Sequence, residues 1–75
     1  MSLMLGRQLK FVRTSYTDFT QTDISRLLHI DHSTYSKYEL GYTEPPIDTL
    51  KRIAKIFGVS VDLLVNWELN DYIQY

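Results

Sequence analysis

The chain has 75 residues, no cysteine and a formal net charge of −1. This length predicts a single domain, and the lack of cysteine excludes a disulfide framework and a thiolate metal site. Apolar runs are shorter than the roughly 18 residues that span a membrane, and the first residues lack the charge pattern of a signal peptide. The composition therefore predicts a small cytoplasmic domain that does not enter a membrane.

The first predicted helix covers residues 4–15. Apolar residues at helical spacing form one stripe along it, which we expect to face the core: Leu5, Leu9, Val12 and Tyr16. Three basic residues, Arg7, Lys10 and Arg13, lie off this stripe. Residues 15–18 form a polar loop that separates the first helix from the next one.

Residues 20–41 predict two short helices joined by a tight turn. Thr20 suits the N-cap of the first, and Asp23 three residues later makes an acidic variant of the capping box. Asp31 suits the N-cap of the second, where its carboxylate also complements the positive end of the helix dipole. Gly41 ends that helix, because glycine adopts a left-handed C′ conformation without penalty.

The segment after Gly41 contains two prolines, which predict a stiff loop over residues 42–46. A fourth helix follows over residues 47–57 and Gly58 closes it, whereas Ser60 caps a last short helix. The inward residues of these two helices are Ile47, Leu50, Ile53, Ala54 and Phe57, then Leu64 and Val65. With no strand signal along the chain, the sequence predicts an all-α fold of five helices.

Four motifs stand in a fixed order along the chain. They are Thr20-Gln21 with Ile24-Ser25, then S-T-Y-S-K-Y-E-L-G over residues 33–41, Thr49-Leu50 with Ile53-Ala54, and Phe57-Gly58-Val59-Ser60. Each motif is weak alone, but their order and spacing from Leu9 to about Val65 resemble the phage repressor and Cro-like helix-turn-helix family. The resemblance implies a compact, lambda-repressor-like five-helix bundle over residues 1–66, in which helices 2 and 3 form the helix-turn-helix. A short tail, residues 67–75, follows this domain.

The resemblance also implies that residues 32–40 form a recognition helix for the major groove of double-stranded DNA. The candidate base contacts are His32, Ser33 and Lys37, with Ser36 second in rank. The candidate phosphate contacts are Gln21, Thr34, Tyr42 and Thr43, and the family's glutamine also braces the recognition helix. Lysine can donate to guanine O6 and N7, serine can pair with several bases, and a helix N-terminus offers free N–H groups to phosphate. The alternative for each residue is an ordinary solvated side chain.

Two further groups of residues have structural interpretations. The resemblance implies a buried ion pair between Arg13 and Glu39, which would orient the recognition helix without touching DNA. His29, Asp31 and His32 lie close in sequence, but Asp31 is better explained as a cap and no fourth ligand is evident, so we predict no metal site. The chain also shows no nucleophile, acid–base pair or phosphate loop, so we predict neither an enzyme nor a cofactor.

Several positions depart from the family pattern. His29 stands where the family usually has a turn glycine, a position that often requires positive φ. Pro46 replaces a serine cap, and Glu44 adds an acid to a loop that is often basic. Residues 1–60 hold eight basic against six acidic residues, a balance of +2, whereas residues 61–75 hold three acids and no base. We therefore expect weak non-specific DNA affinity with a shallow salt dependence.

The C-terminal end has more apolar and aromatic residues than a solvated end requires. These residues either fold back onto the core or form a subunit interface, and the interface candidates are Leu63, Trp67, Leu69, Tyr72 and Ile73. A two-fold homodimer would place two recognition helices about 34 Å apart, as a palindromic operator requires. The leading hypothesis is therefore a dimeric repressor-type transcriptional regulator. The alternative is a protein-interaction module, such as an antitoxin or a partner-controlled regulator, whose partner binds the tail.

Overall fold

Five helices follow one another along the chain in a computed structural model that describes residues 2–66. They are α1 (Ser2–Tyr16), α2 (Gln21–Leu28), α3 (His32–Leu40), α4 (Ile47–Phe57) and α5 (Val61–Val65). No strand occurs in this part of the chain, and the all-α prediction is confirmed. No helix between residues 2 and 66 combines the length and hydropathy of a membrane span.

The helix starts follow the predicted caps with one exception. The Thr20 hydroxyl accepts a hydrogen bond from the Asp23 backbone N–H at 3.1 Å, and the Asp23 carboxylate accepts one from the Thr20 N–H at 2.9 Å. This confirms the capping box. Ser60 caps α5 by accepting from the Leu63 N–H at 3.1 Å. Asp31 occupies the N-cap position of α3, but its side chain makes no capping hydrogen bond. Of its two predicted roles, only the charge interaction of the carboxylate with the helix dipole remains.

Left-handed residues end three of the helices. His29 has φ 59° in the turn between α2 and α3, so the histidine adopts the positive φ that this position often requires. Gly41 and Gly58 have φ 82° and 75° after α3 and α4. In each case, backbone N–H groups of the turn donate to carbonyl groups of the preceding helix. The tight turn at His29 fixes the angle at which α3 leaves α2.

The core lies among the five helices, and the most extensive packing is that of α1 and α2 against the inner side of α3. Its fully buried side chains are Leu9, Val12, Ile24, Leu28, Tyr35, Ile53 and Leu64. Three predicted core residues are wrong, because Tyr16, Ile47 and Val65 are 56%, 59% and 38% exposed. Each is the first or last residue of its helix, at the edge of the core where solvent reaches the side chain. Tyr16 packs edge-on against Phe11 instead, with ring centroids 6.4 Å apart.

Gly6 marks a close contact between α1 and the end of α3 that the sequence analysis missed. A Cβ atom at Gly6 would lie 2.5 Å from the backbone oxygen of Glu39 and 2.6 Å from that of Tyr38. Glycine inside a helix ordinarily weakens it by about 0.5–1 kcal/mol relative to alanine. Here the missing side chain lets the two backbones touch, and this contact holds the C-terminal end of α3.

Candidate nucleic-acid interface

One side of α3 is buried and the opposite side is open. Tyr35, Tyr38 and Glu39 face inward. At about 100° per residue, the outward direction falls between Ser33 and Lys37, and both side chains are exposed, as is His32. Ser36 and Thr34 are half-buried. Three of the predicted base contacts, Ser33, Ser36 and Lys37, therefore share one side of α3 with Leu40, and His32 lies exposed at the N-terminal end of the helix. We call these five residues the outward face of α3.

Leu40 belongs to this face although the sequence analysis did not select it. Its side chain is 53% exposed, and its direction on the helix lies about 20° from that of Ser33. The signal was available, because the same helical spacing that grouped Ser33, Ser36 and Lys37 also includes position 40. Only polar side chains of this helix were predicted to contact DNA.

The loop after α3 continues directly from the end of the helix. The Tyr42 N–H donates to the Lys37 carbonyl oxygen at 3.0 Å, so the first loop residue is fixed to the last helical turn. The side chains of Tyr42 and Thr43 are both exposed. The two predicted phosphate contacts in this loop are therefore available at the C-terminal end of the outward face.

An ion pair behind α3 fixes its orientation. The Arg13 Nε and Nη2 atoms donate to Glu39 Oε2 and Oε1 at 2.7 and 3.1 Å, a two-point contact between α1 and α3. A third Arg13 nitrogen, Nη1, donates to the Phe19 carbonyl oxygen at 3.1 Å. The structure thus brings together the two residues predicted to pair, and one guanidinium joins α1, the loop before α2 and α3.

Gln21 completes this network from the start of α2. Its Nε2 atom donates to Glu39 Oε1 at 2.8 Å, so the side chain braces α3 from the first residue of the helix-turn-helix. The amide nitrogen carries a second N–H. The phosphate contact at this helix N-terminus therefore stays a prediction beside the bracing contact that the structure contains.

The environment of Glu39 shifts its acidity. Its side chain is only 2% exposed, and burial by itself would raise the pKa of the carboxyl group. The hydrogen bonds from Arg13 and Gln21 outweigh burial and hold the pKa below its ordinary value of 4.5. Burial, reinforced by the nearby Glu39 carboxylate, raises the pKa of Tyr35, so this phenol stays neutral on the buried side of α3.

The lowered pKa of Glu39 predicts how stability depends on pH. A carboxyl group whose pKa is lower in the folded state stabilises the fold above the unfolded value, near 4.5, and this contribution is lost as pH falls through the folded value. We therefore expect the free energy of unfolding to fall below about pH 4.5, more steeply for the unmodified chain than for Glu39→Gln. Urea unfolding at several pH values between about 6 and 3 measures both slopes.

The capping carboxylate of Asp23 supplies the control for this experiment. Hydrogen bonds from the Thr20 backbone and side chain lower the pKa of Asp23 from 3.8, so Asp23→Asn should remove a separate part of the acid-induced loss. Slopes that are identical for the unmodified chain and Glu39→Gln would show that the ion pair does not control acid stability.

Two other predictions concern a metal site and the subunit interface. Among residues 2–66 no three histidine, aspartate or glutamate side chains lie together as metal ligands would. Leu63 is half-buried against the core, and its carbonyl oxygen accepts from Gln8 Nε2 at 2.8 Å. The remaining interface candidates, Trp67, Leu69, Tyr72 and Ile73, lie outside the described residues.

α2 and α3 are joined by a tight turn in which His29 has a left-handed conformation. Contacts from Arg13 and Gln21 hold the buried side of α3, and its opposite side is exposed. This arrangement defines a helix-turn-helix domain. Residues 18–64 match the family model described as Helix-turn-helix. The chain belongs to this helix-turn-helix family, as its resemblance to the phage repressor and Cro-like proteins predicted.

Three proteins of Bacillus subtilis (strain 168) are similar to the chain. The SPbeta prophage-derived uncharacterized HTH-type transcriptional regulator YonR is 40% identical over 83% of this chain and 56% of its own length. The HTH-type transcriptional regulator ImmR is 33% identical over 84% of this chain and 49% of its own. The uncharacterized HTH-type transcriptional regulator YqaE is 39% identical over 91% and 58%. The chain thus spans about half the length of these relatives, and no solved structure is significantly similar to it.

Proposed function

We propose that the protein is a sequence-specific DNA-binding transcriptional regulator of the repressor type. The observation that carries this proposal is the outward face of α3, which displays hydroxyl, imidazole and ammonium groups and no carboxylate. The network of Arg13, Glu39 and Gln21 holds the opposite side of the helix. A rigid helix with free polar groups is what base recognition in the major groove requires.

The proposed contacts fall into two classes. Ser33 and Lys37 would read base edges with help from Ser36, because they share the exposed side of the helix, and His32 would do so from its exposed N-terminal end. The residues that would bind phosphate groups are Gln21, Thr34, Tyr42 and Thr43. Phosphate contacts fix the position of a protein on the duplex, and base contacts supply the sequence preference. The proposal assigns no catalytic activity to the chain.

We further propose a homodimer that binds a palindromic operator in the cytoplasm. Residues 1–66 would form the DNA-binding domain, and the tail at 67–75 would contribute to the subunit interface beside the half-buried Leu63. A two-fold axis would set the two recognition helices about 34 Å apart, on successive turns of one duplex face. A sedimentation mass that stays monomeric at micromolar concentration, with and without operator DNA, would contradict this arrangement. A mass equal to a complex with a different protein would favour the partner-controlled module instead.

Lys37 provides the direct test of base reading. We expect Lys37→Ala to change which bases are preferred at one position of each half-site, and to weaken binding to the best site by about 1–3 kcal/mol. Selection of bound duplexes from a random-sequence pool, followed by gel-shift titration of single-base variants, measures both effects. Equal weakening on every sequence would show that Lys37 contacts phosphate.

A matched lysine separates this effect from general electrostatics. Lys55 is exposed on α4, a helix that packs against α1, α2 and α5 and not against α3. Lys55→Ala removes the same charge, so it should leave the base preferences of the selected duplex unchanged.

A further inference from the structure

Leu40 is an apolar residue on a face that we propose to bind DNA. We infer that Leu40 is a specificity-determining residue that contacts the C5-methyl group of a thymine in the operator. This inference rests on the proposed function and adds to it a base type, a position and a contact that involves no hydrogen bond.

The position of Leu40 separates it from the other exposed apolar residues. A single exposed leucine is ordinary on a protein surface and by itself points to nothing. Leu40, however, lies on the last turn of α3, and its direction falls within about 60° of both Ser33 and Lys37. A duplex that contacts those two residues would therefore also cover Leu40. The apolar surface is continuous with the polar face and would be buried by the same ligand.

The chemistry of the major groove leaves one suitable partner for this side chain. Leucine can neither donate nor accept a hydrogen bond, so it cannot read the amino, carbonyl or ring-nitrogen groups of the base edges. The one apolar group that the four base pairs display there is the thymine C5-methyl. Its burial against Leu40 would remove two apolar surfaces from water. Leu40 would thereby favour thymine over cytosine at its position.

The helix geometry gives the position of that thymine relative to the other contacts. Leu40 lies about 4.5 Å along the helix axis from Lys37 and about 10.5 Å from Ser33, at about 1.5 Å per residue. Neighbouring base pairs are about 3.4 Å apart. Because the groove is inclined to the duplex axis, these distances give upper limits: the thymine is at most one or two base pairs from the base read by Lys37. It is at most about three base pairs from the base read by Ser33.

The experiment begins with duplexes selected by the full chain from a random-sequence pool. Each thymine of the enriched site is then replaced by deoxyuridine, which removes only the methyl group, and affinity is measured by fluorescence anisotropy. We expect one thymine per half-site, next to the position that changes in Lys37→Ala, at which the replacement weakens binding about fourfold. This factor corresponds to about 0.8 kcal/mol for burial of one methyl-sized group.

The variants Leu40→Ala and Leu40→Gln form double-mutant cycles with the deoxyuridine duplex. In both variants we expect the thymine and deoxyuridine duplexes to bind equally, with the melting temperature of the protein unchanged. The glutamine variant keeps a long side chain of good helix propensity. Leu27→Ala is the matched control, because Leu27 is 47% exposed but lies on α2, and it should keep the fourfold methyl effect.

Three results would overturn the inference. One is a selected duplex in which no thymine methyl affects affinity. A second is a methyl effect that persists in both Leu40 variants. The third is a Leu40→Ala variant whose oligomeric mass changes while its base preference does not, since Leu40 would then contact protein. A chain that enriches no duplex at all would instead overturn the proposed function, and this inference with it.

Discussion

We expect Glu39→Ala to lower the free energy of unfolding by about 3–5 kcal/mol, the usual effect of removing one partner of a buried ion pair. The carboxylate accepts three hydrogen bonds, two from Arg13 and one from Gln21. Its removal leaves the Arg13 side chain, which is only 12% exposed, without its anion, and it frees the Gln21 amide that braces α3. For a domain of this size the melting temperature should fall by roughly 15–30 °C, which calorimetry measures directly.

Two variants test whether this effect comes from the unpaired charge. In the double substitution Arg13→Met with Glu39→Leu, both charges are replaced by apolar groups, and most of the lost stability should return. Glu44→Ala removes an exposed carboxylate from the loop after α3, and should change stability by less than about 0.5 kcal/mol. An unchanged melting temperature for Glu39→Ala would show that the pair is exposed or absent in solution.

The second large effect is expected at Gly6. Alanine in place of a helical glycine ordinarily stabilises a protein by about 0.5–1 kcal/mol. At Gly6 the added Cβ would overlap two backbone oxygens at the end of α3, and backbone atoms in a packed helix cannot move aside as a side chain can. We expect Gly6→Ala to lower the free energy of unfolding by about 2–3 kcal/mol and the melting temperature by roughly 10–20 °C.

The sign of the Gly6 effect is the decisive result. Ser15→Ala, at an exposed position of the same helix, gives the effect of helix propensity without the close contact, and it should be neutral or slightly stabilising. A melting temperature for Gly6→Ala at or above that of the unmodified chain would show that α1 does not approach α3 closely.

Both large effects concern the same part of the recognition helix. Gly6 contacts the backbone at Tyr38 and Glu39, and Arg13 pairs with the side chain of Glu39. α1 therefore holds α3 at its C-terminal end, from the side opposite the outward face. The contacts that stabilise the fold and those proposed for DNA lie on opposite sides of one helix, so each can be substituted without removing the other.

The order and kinds of helices could be predicted from the sequence because their signals are local. The capping box at Thr20 and Asp23 involves two residues three apart, and the left-handed ends at His29 and Gly41 depend on one residue each. The polar side of α3 follows from helical spacing alone. For Arg13 and Glu39 the sequence supplied a family resemblance, whereas the structure supplies the distances.

Only the tertiary structure determines which residues of these local patterns are capped, buried or in close contact. A cap residue at Asp31 could make a side-chain hydrogen bond or not, and the sequence allows both. Tyr16 and Ile47 continue apolar stripes in the sequence, but both lie at helix ends and are exposed. Gly6 gave no local signal of its role, because that role depends on a backbone 33 residues away in the sequence. Helical spacing groups Leu40 with Ser33 and Lys37, but only the packing of α3 determines that this side of the helix stays open. Spacing along one helix determines which residues share a face. Only the packing of distant segments determines which face is buried and how closely two helix backbones approach each other.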